Sequence, residues 1–168
     1  MKLIFKSLNS IIVVFSILSI TLGQDCEGSL DNFDLCNNNN SLQGAIDSLE
    51  DGGTLEVPVG VYAESISINK SIILNCQDGA IIDASGLGSG INISAQYVGI
   101  DGCEIIGDEQ TSSGIVIGPW STHISIINNK IHGMKLANPS NSSPASYGIL
   151  LWGAGVNNIV IDGNEIYD

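Results

Sequence analysis

Short runs of Ile, Val and Leu, alternating with polar residues or Gly, recur through most of the chain. The clearest figure is Ile149-Leu150-Leu151, a turn, then Ile159-Val160-Ile161-Asp162-Gly163-Asn164-Glu165-Ile166. One unit earlier it reads Ile115-Val116-Ile117, then Ile124-Ser125-Ile126-Ile127-Asn128-Asn129-Lys130-Ile131. Earlier still come Ile91-Asn92-Ile93 with Val98 to Ile105, and a blurred copy from Ile66 through Ile82. Strands of three to five residues cannot bury an apolar face alone. Stacked as coils they pair like residue with like at ~4.8 Å and build one continuous core. Two inward columns follow: Ile68, Ile93, Ile117 and Leu151, and Leu74, Ile100, Ile126 and Ile161. The turn after the second strand has its own register. Cys103, Asn129 and Asn164 are equivalent there and suit an amide ladder. Glu104, Lys130 and Glu165 follow as an alternating-sign column. Gly102 and Gly163, with Asn128 as the tolerated substitute, supply positive φ at the bend.

A different period precedes the repeat. Leu42, Ala45, Ile46 and Leu49 fall at helical spacing behind Ser41 as N-cap, and Gly52-Gly53 ends the helix. Thr54-Leu55-Glu56-Val57 alternates as a strand. The expected helix lies over the first coil and closes that end of the stack. Asp168 follows directly on the last predicted strand, so residues 41–168 are expected to be the N-terminal part of a longer β-helix. A short protein that dimerises end to end is the alternative.

The stretches Ser41–Asp47, Gly53–Tyr62 and Ile66–Ile72 resemble the opening of right-handed parallel β-helix proteins of the pectin-lyase-like superfamily. That group includes pectate lyases, pectin methylesterases, related glycosidases and NosD-like periplasmic proteins. The resemblance extends from Ser41 to Asp168. It implies an all-β fold, a right-handed parallel β-helix of about four coils with an N-terminal capping helix. It is specific for fold and unspecific for activity.

The first residues change the picture of where the protein works. Lys2 and Lys6, the apolar run Ile11–Ile20, and small residues at Thr21 and Gly23 describe an export signal over residues 1–23, with an uncleaved anchor as the alternative. The run falls short of the ~20 residues that span a bilayer. A secreted, periplasmic or cell-surface protein is expected, with no membrane association after cleavage. Residues 24–40 form a polar lead-in. Cys26 and Cys36 bracket part of it and are disulfide candidates, as are Cys76 and Cys103 on neighbouring coils, for which buried thiols are the alternative.

Charge narrows the ligand. Beyond residue 23 the chain holds all 18 acidic residues against Lys70, Lys130 and Lys135, and it has no Arg. Nucleic acid is excluded, because phosphate neutralisation needs Lys and Arg. Polyanions bound without a bridging cation are disfavoured. The resemblance brings further expectations. Lyases of this fold use an Arg or Lys base opposite calcium-bound substrate, and here Lys130 fits better as a partner of Glu104 and Glu165. Neither the Asp pairs of the glycosidases nor the Asp/Arg set of the methylesterases appears, so no complete catalytic set is present.

What remains is a polysaccharide- or glycan-directed surface. Trp120 and Trp152 precede the second strands of adjacent coils and are candidates for an aromatic sugar platform, with Tyr147 beside them and the insertion Met134–Tyr147 next to it. The alternative is that they cover apolar surface. Asp108-Glu109 in a turn is the candidate for a Ca2+ site, and no other cofactor is implied. Asp101 and Asp162 lie two coils apart, ~9.6 Å by the strand spacing, a separation like that of inverting glycosidases, although Asp-Gly is also a common turn pair. His123 and His132 are read as surface residues facing different ways. Three classes stand: a carbohydrate-active enzyme, a non-catalytic binding or interaction β-helix, and a NosD-like protein.

Overall fold

The computed structural model describes residues 41–135 and 145–168. The export signal, Cys26, Cys36 and most of the 134–147 insertion lie outside them.

Among the described residues fourteen short strands wind through three parallel sheets, as the alternation predicts. The first sheet stacks β3 (Ile66–Ile68), β6 (Ser89–Ile93), β9 (Ser113–Ile117) and β12 (Tyr147–Leu151). The second stacks β1 (Gly53–Val57), β4 (Ile72–Cys76), β7 (Val98–Asp101), β10 (Thr122–Ile127) and β13 (Asn157–Asp162). The third stacks β2 (Gly60–Tyr62), β5 (Ala80–Asp83), β8 (Glu104–Ile106), β11 (Lys130–His132) and β14 (Glu165–Tyr167). Successive strands enter different sheets and every described pairing is parallel, which is a parallel β-helix. Gly53–Val57 and Gly60–Tyr62, expected only to lead into the repeat, already form two sides of a coil beneath the first full one.

Both inward columns form in the expected register: Ile68, Ile93, Ile117 and Leu151 pair in sequence, as do Leu74, Ile100, Ile126 and Ile161. Ile82, Ile105, Ile131 and Ile166 make a third. Gly90, Gly114 and Gly148 stand at the heads of the first-sheet strands because the third column leaves no room for more. A Cβ on Gly114 would lie 2.4 Å from Ile131, and one on Gly148 2.4 Å from Ile166.

The helix α1 (Leu42–Ser48) covers one end. Ser41 Oγ accepts from the Gly44 N–H at 2.8 Å, and Glu64 accepts from the Leu42 and Gln43 N–H groups. Lys70 Nζ donates to the last carbonyls, those of Asp47 and Leu49. The Gln43 amide pairs with both backbone groups of Ser67, so the free edge of β3 meets a partner on the helix. At the other end Leu151, Ile161 and Ile166 are about half exposed, whereas Ile117, Ile126 and Ile131 one coil inward are fully buried.

Candidate functional site

The two corners flanking the second sheet carry different chemistry. At the corner after it, Asn129 is buried. Its Oδ1 accepts from the Cys103 N–H at 2.9 Å, and its Nδ2 donates to the carbonyls of Ile127 and Ile100. Asn164 repeats the pattern, accepting from the Asn129 N–H at 2.9 Å and donating to the Ile126 and Asp162 carbonyls. The ladder stops at Cys103, where a disulfide to Cys76 ties that coil to the preceding one across 27 residues. Asn128, Gly102 and Gly163 adopt the expected positive φ.

The charged column forms in register but only half of it pairs. Lys130 Nζ lies 3.2 Å from Glu104, while its other side faces the Tyr167 ring at 6.0 Å rather than Glu165. His132 Nε2 donates to Glu104 at 2.8 Å, and its ring stacks on Tyr167 with centroids 4.7 Å apart. The His132 hydrogen bond, followed by Lys130, holds the Glu104 carboxyl below its ordinary value. The Tyr167 hydroxyl, and then Glu104, hold the Lys130 amine above its own. A protonated Lys130 is no proton acceptor at neutral pH, and His132 already spends its Nε2 and one ring face on partners. A shallow cleft of about 290 Å³ runs over this corner, bordered by Asp78, Glu104, Asn128, Lys130 and Glu165. Asp101 and Asp162 both flank Ile127 on an open face, and Asp101 accepts from the Asn128 amide at 3.1 Å.

The corner before the second sheet holds both tryptophans. Trp120 is 70% exposed and Trp152 59%. Their rungs are adjacent but offset: the Trp152 N–H donates to Ile117 and the Trp120 N–H to Ala154. The indoles do not stack on each other. Trp120 lies instead against Gly155, where a Cβ would sit 2.2 Å from its ring. The ring rests on the Gly155 backbone and keeps most of its surface in water. Tyr147 is not beside them. It begins β12, whereas Trp152 follows the end of that strand, so the length of β12 separates them.

Two features of this corner were missed in the sequence. Tyr97, 59% exposed, stacks on His123 with centroids 4.5 Å apart, and the Asn158 amide lies 3.1 Å from His123 Nε2. The second is a segregation of charge. Residues 84–100, 110–129 and 136–161 contain no Asp, Glu, Lys or Arg. The first strand, the Trp corner and most of the second strand are therefore neutral in three successive coils, and the charges gather on the opposite side. The spacing of charges carried that signal; a net count conceals it.

The Ca2+ candidate is occupied by its own turn. The Asp108 carboxylate accepts from the N–H groups of Gly86 and Gln110 and from Thr111 Oγ1, and the two backbone donors hold its pKa below the usual range. Glu109 points to solvent. Among the described residues no three His, Cys, Asp or Glu side chains are grouped to hold a metal ion. No helix among them is long and apolar enough to cross a membrane.

The chain is similar to the "Probable ABC transporter binding protein NosD" of Stutzerimonas stutzeri, with 29% identity over 114 residues, 66% of this chain. It spans 23% of that relative's length. No family model matches, and no solved structure does.

Proposed function

We propose that this chain acts by binding rather than by turnover, and that it binds a neutral carbohydrate at the corner of Trp120 and Trp152. The observation that carries this reading is the exposure of two indoles on adjacent coils within a face that bears no charge. An aromatic face packs against the C–H face of a pyranose, and such contacts need no counter-charge. On the charged side, Lys130 and His132 are committed to Glu104 and Tyr167, which speaks against acid–base chemistry there.

Similarity to a protein named as an ABC transporter binding protein favours a second reading of the same class, capture of a small ligand for a transporter. Affinity electrophoresis separates the two. We expect retardation in gels containing a neutral polysaccharide such as xylan, glucomannan or a β-glucan. Polygalacturonate, with or without calcium, should retard the chain little. The double variant Trp120→Ala/Trp152→Ala should lose at least about tenfold in affinity, as aromatic anchors do, while melting as the parent does. Equal retardation of parent and double variant, or no retardation by any polysaccharide, overturns the carbohydrate reading.

A further inference from the structure

We propose that the ligand surface continues from the indoles across Tyr97, His123 and Asn158, and that it holds a linear neutral polysaccharide lying along the axis of the stack. This rests on the carbohydrate reading above and adds the row, the direction and the polymeric nature of the ligand.

The three residues are one position repeated. Val98 pairs with Ile124 and Ile124 with Ile159, so the residues just before them stand on consecutive rungs. All three have positive φ: 56° at Tyr97, 58° at His123 and 56° at Asn158. Asn and His tolerate that conformation; Tyr and Trp adopt it uncommonly. Among the described residues five non-glycine residues have positive φ, and four of them, Trp120 included, belong to this corner. A backbone conformation that disfavours a Cβ is filled here by large rings where Gly would sit without strain. Such strain gathers where side-chain placement matters for binding. What it achieves is visible. The Tyr97 ring is parallel to His123 within 19°, and the imidazole is held from both edges, by Thr122 Oγ1 at 3.1 Å and by the Asn158 amide at 3.1 Å. The result is a ladder of a phenol, an imidazole and an amide, one per rung, with the outer part of Tyr97 in solvent.

The shape of this surface selects its ligand. It is open, neutral and periodic at ~4.8 Å, close to the length of one sugar unit. A small ligand touches one rung. A chain of like units meets an equivalent ring edge or amide on every rung, with the exposed Tyr97 hydroxyl and the Asn158 amide oxygen for its hydroxyls. No Lys or Arg stands on the strip in these coils to hold a carboxylate or sulfate.

The test is calorimetry of the chain with cello-, xylo- and manno-oligosaccharides of about two to six units, using the parent, Trp120→Ala/Trp152→Ala, and Tyr97→Gly. Glycine suits the φ at 97, so that variant removes the ring without straining the backbone. For the series that binds, affinity should rise about tenfold or more from dimer to hexamer. Tyr97→Gly should weaken the hexamer about fivefold and the dimer less than twofold, the worth of one hydrogen-bonding contact. If the tryptophan variant abolishes binding but affinity is independent of length, or Tyr97→Gly leaves the hexamer unchanged, the axial row is overturned and the carbohydrate reading stands. If the parent binds none of the three series, both are overturned.

Discussion

The two corners flanking the second sheet use their side chains in opposite ways. The corner after it looks inward. Asn129 and Asn164 spend their amides on backbone groups of their own and neighbouring coils, and Cys76–Cys103 replaces the ladder where the amides stop. Its side chains hold coil to coil, and its charges stand around the outside. The corner before it looks outward. Its rings are exposed, its backbone is strained at four positions, and it bears no charge in coils two to four. One corner uses its side chains to stabilise the stack; the other holds them out at some cost to backbone energy. A repeat protein can divide labour in this way because each corner recurs in register on every rung, so a choice of residue type becomes a continuous strip.

The largest effect that would break this contrast is at Asn129. Asn129→Ala leaves the buried Cys103 N–H and the buried Ile100 carbonyl without their partner, while the Ile127 carbonyl keeps the Gly102 N–H. Each such group carries ~1–3 kcal/mol, so a loss of about 4 kcal/mol is expected. Urea unfolding measures it, and a loss under about 1 kcal/mol would mean that water replaces the amide and that the ladder is not structural. Next comes the disulfide. Closing a loop of this length stabilises by about 3.5 kcal/mol, and the Cys76→Ala/Cys103→Ala chain should unfold earlier in urea by that amount. On the outward corner the paired tryptophan variant should shift stability by about 1 kcal/mol or less while removing binding. A large drop in its melting temperature would make the indoles structural and erase the difference between the corners.

The smallest effect is the pH response of Glu104. Its folded-state pKa is depressed by His132 and Lys130. Its contribution is therefore complete above the unfolded value of ~4.3 and is lost as pH falls through the lower folded value. For a partly exposed pair the size is under about 1 kcal/mol. The melting temperatures of the parent and Glu104→Gln should differ slightly at pH 6 and converge near pH 3. A gap that widens on acidification contradicts the sign.

The ends of the stack make a second contrast. Leu42, Ala45 and Ile46 are fully buried against the first coils, and Gln43 completes the edge of β3, whereas Leu151, Ile161 and Ile166 keep about half their surface in water. The first end was legible in the helical spacing of four apolar residues. The Gln43–Ser67 pairing was not, since it joins residues 24 apart that no local pattern relates.

Periodicity alone determined the coil, its inward columns, the Asn ladder and the capping helix, because each depends on a residue type recurring at fixed spacing and a one-residue slip would turn every apolar side chain outward. The glycines at 90, 114 and 148 recur just as regularly, but the third column that demands them becomes visible only once the coil closes. Composition also showed the shortage of positive charge, though not that the neutral positions lie on one side. Tertiary structure alone decided which side chains share a surface. It separated Tyr147 from the indoles by the length of a strand, drew Lys130 to Glu104 and Tyr167, and set Tyr97 on His123. The physical reason is that side-chain direction at a corner follows backbone φ, and the positive values at Tyr97, Trp120, His123 and Asn158 follow from how each coil seats on the next.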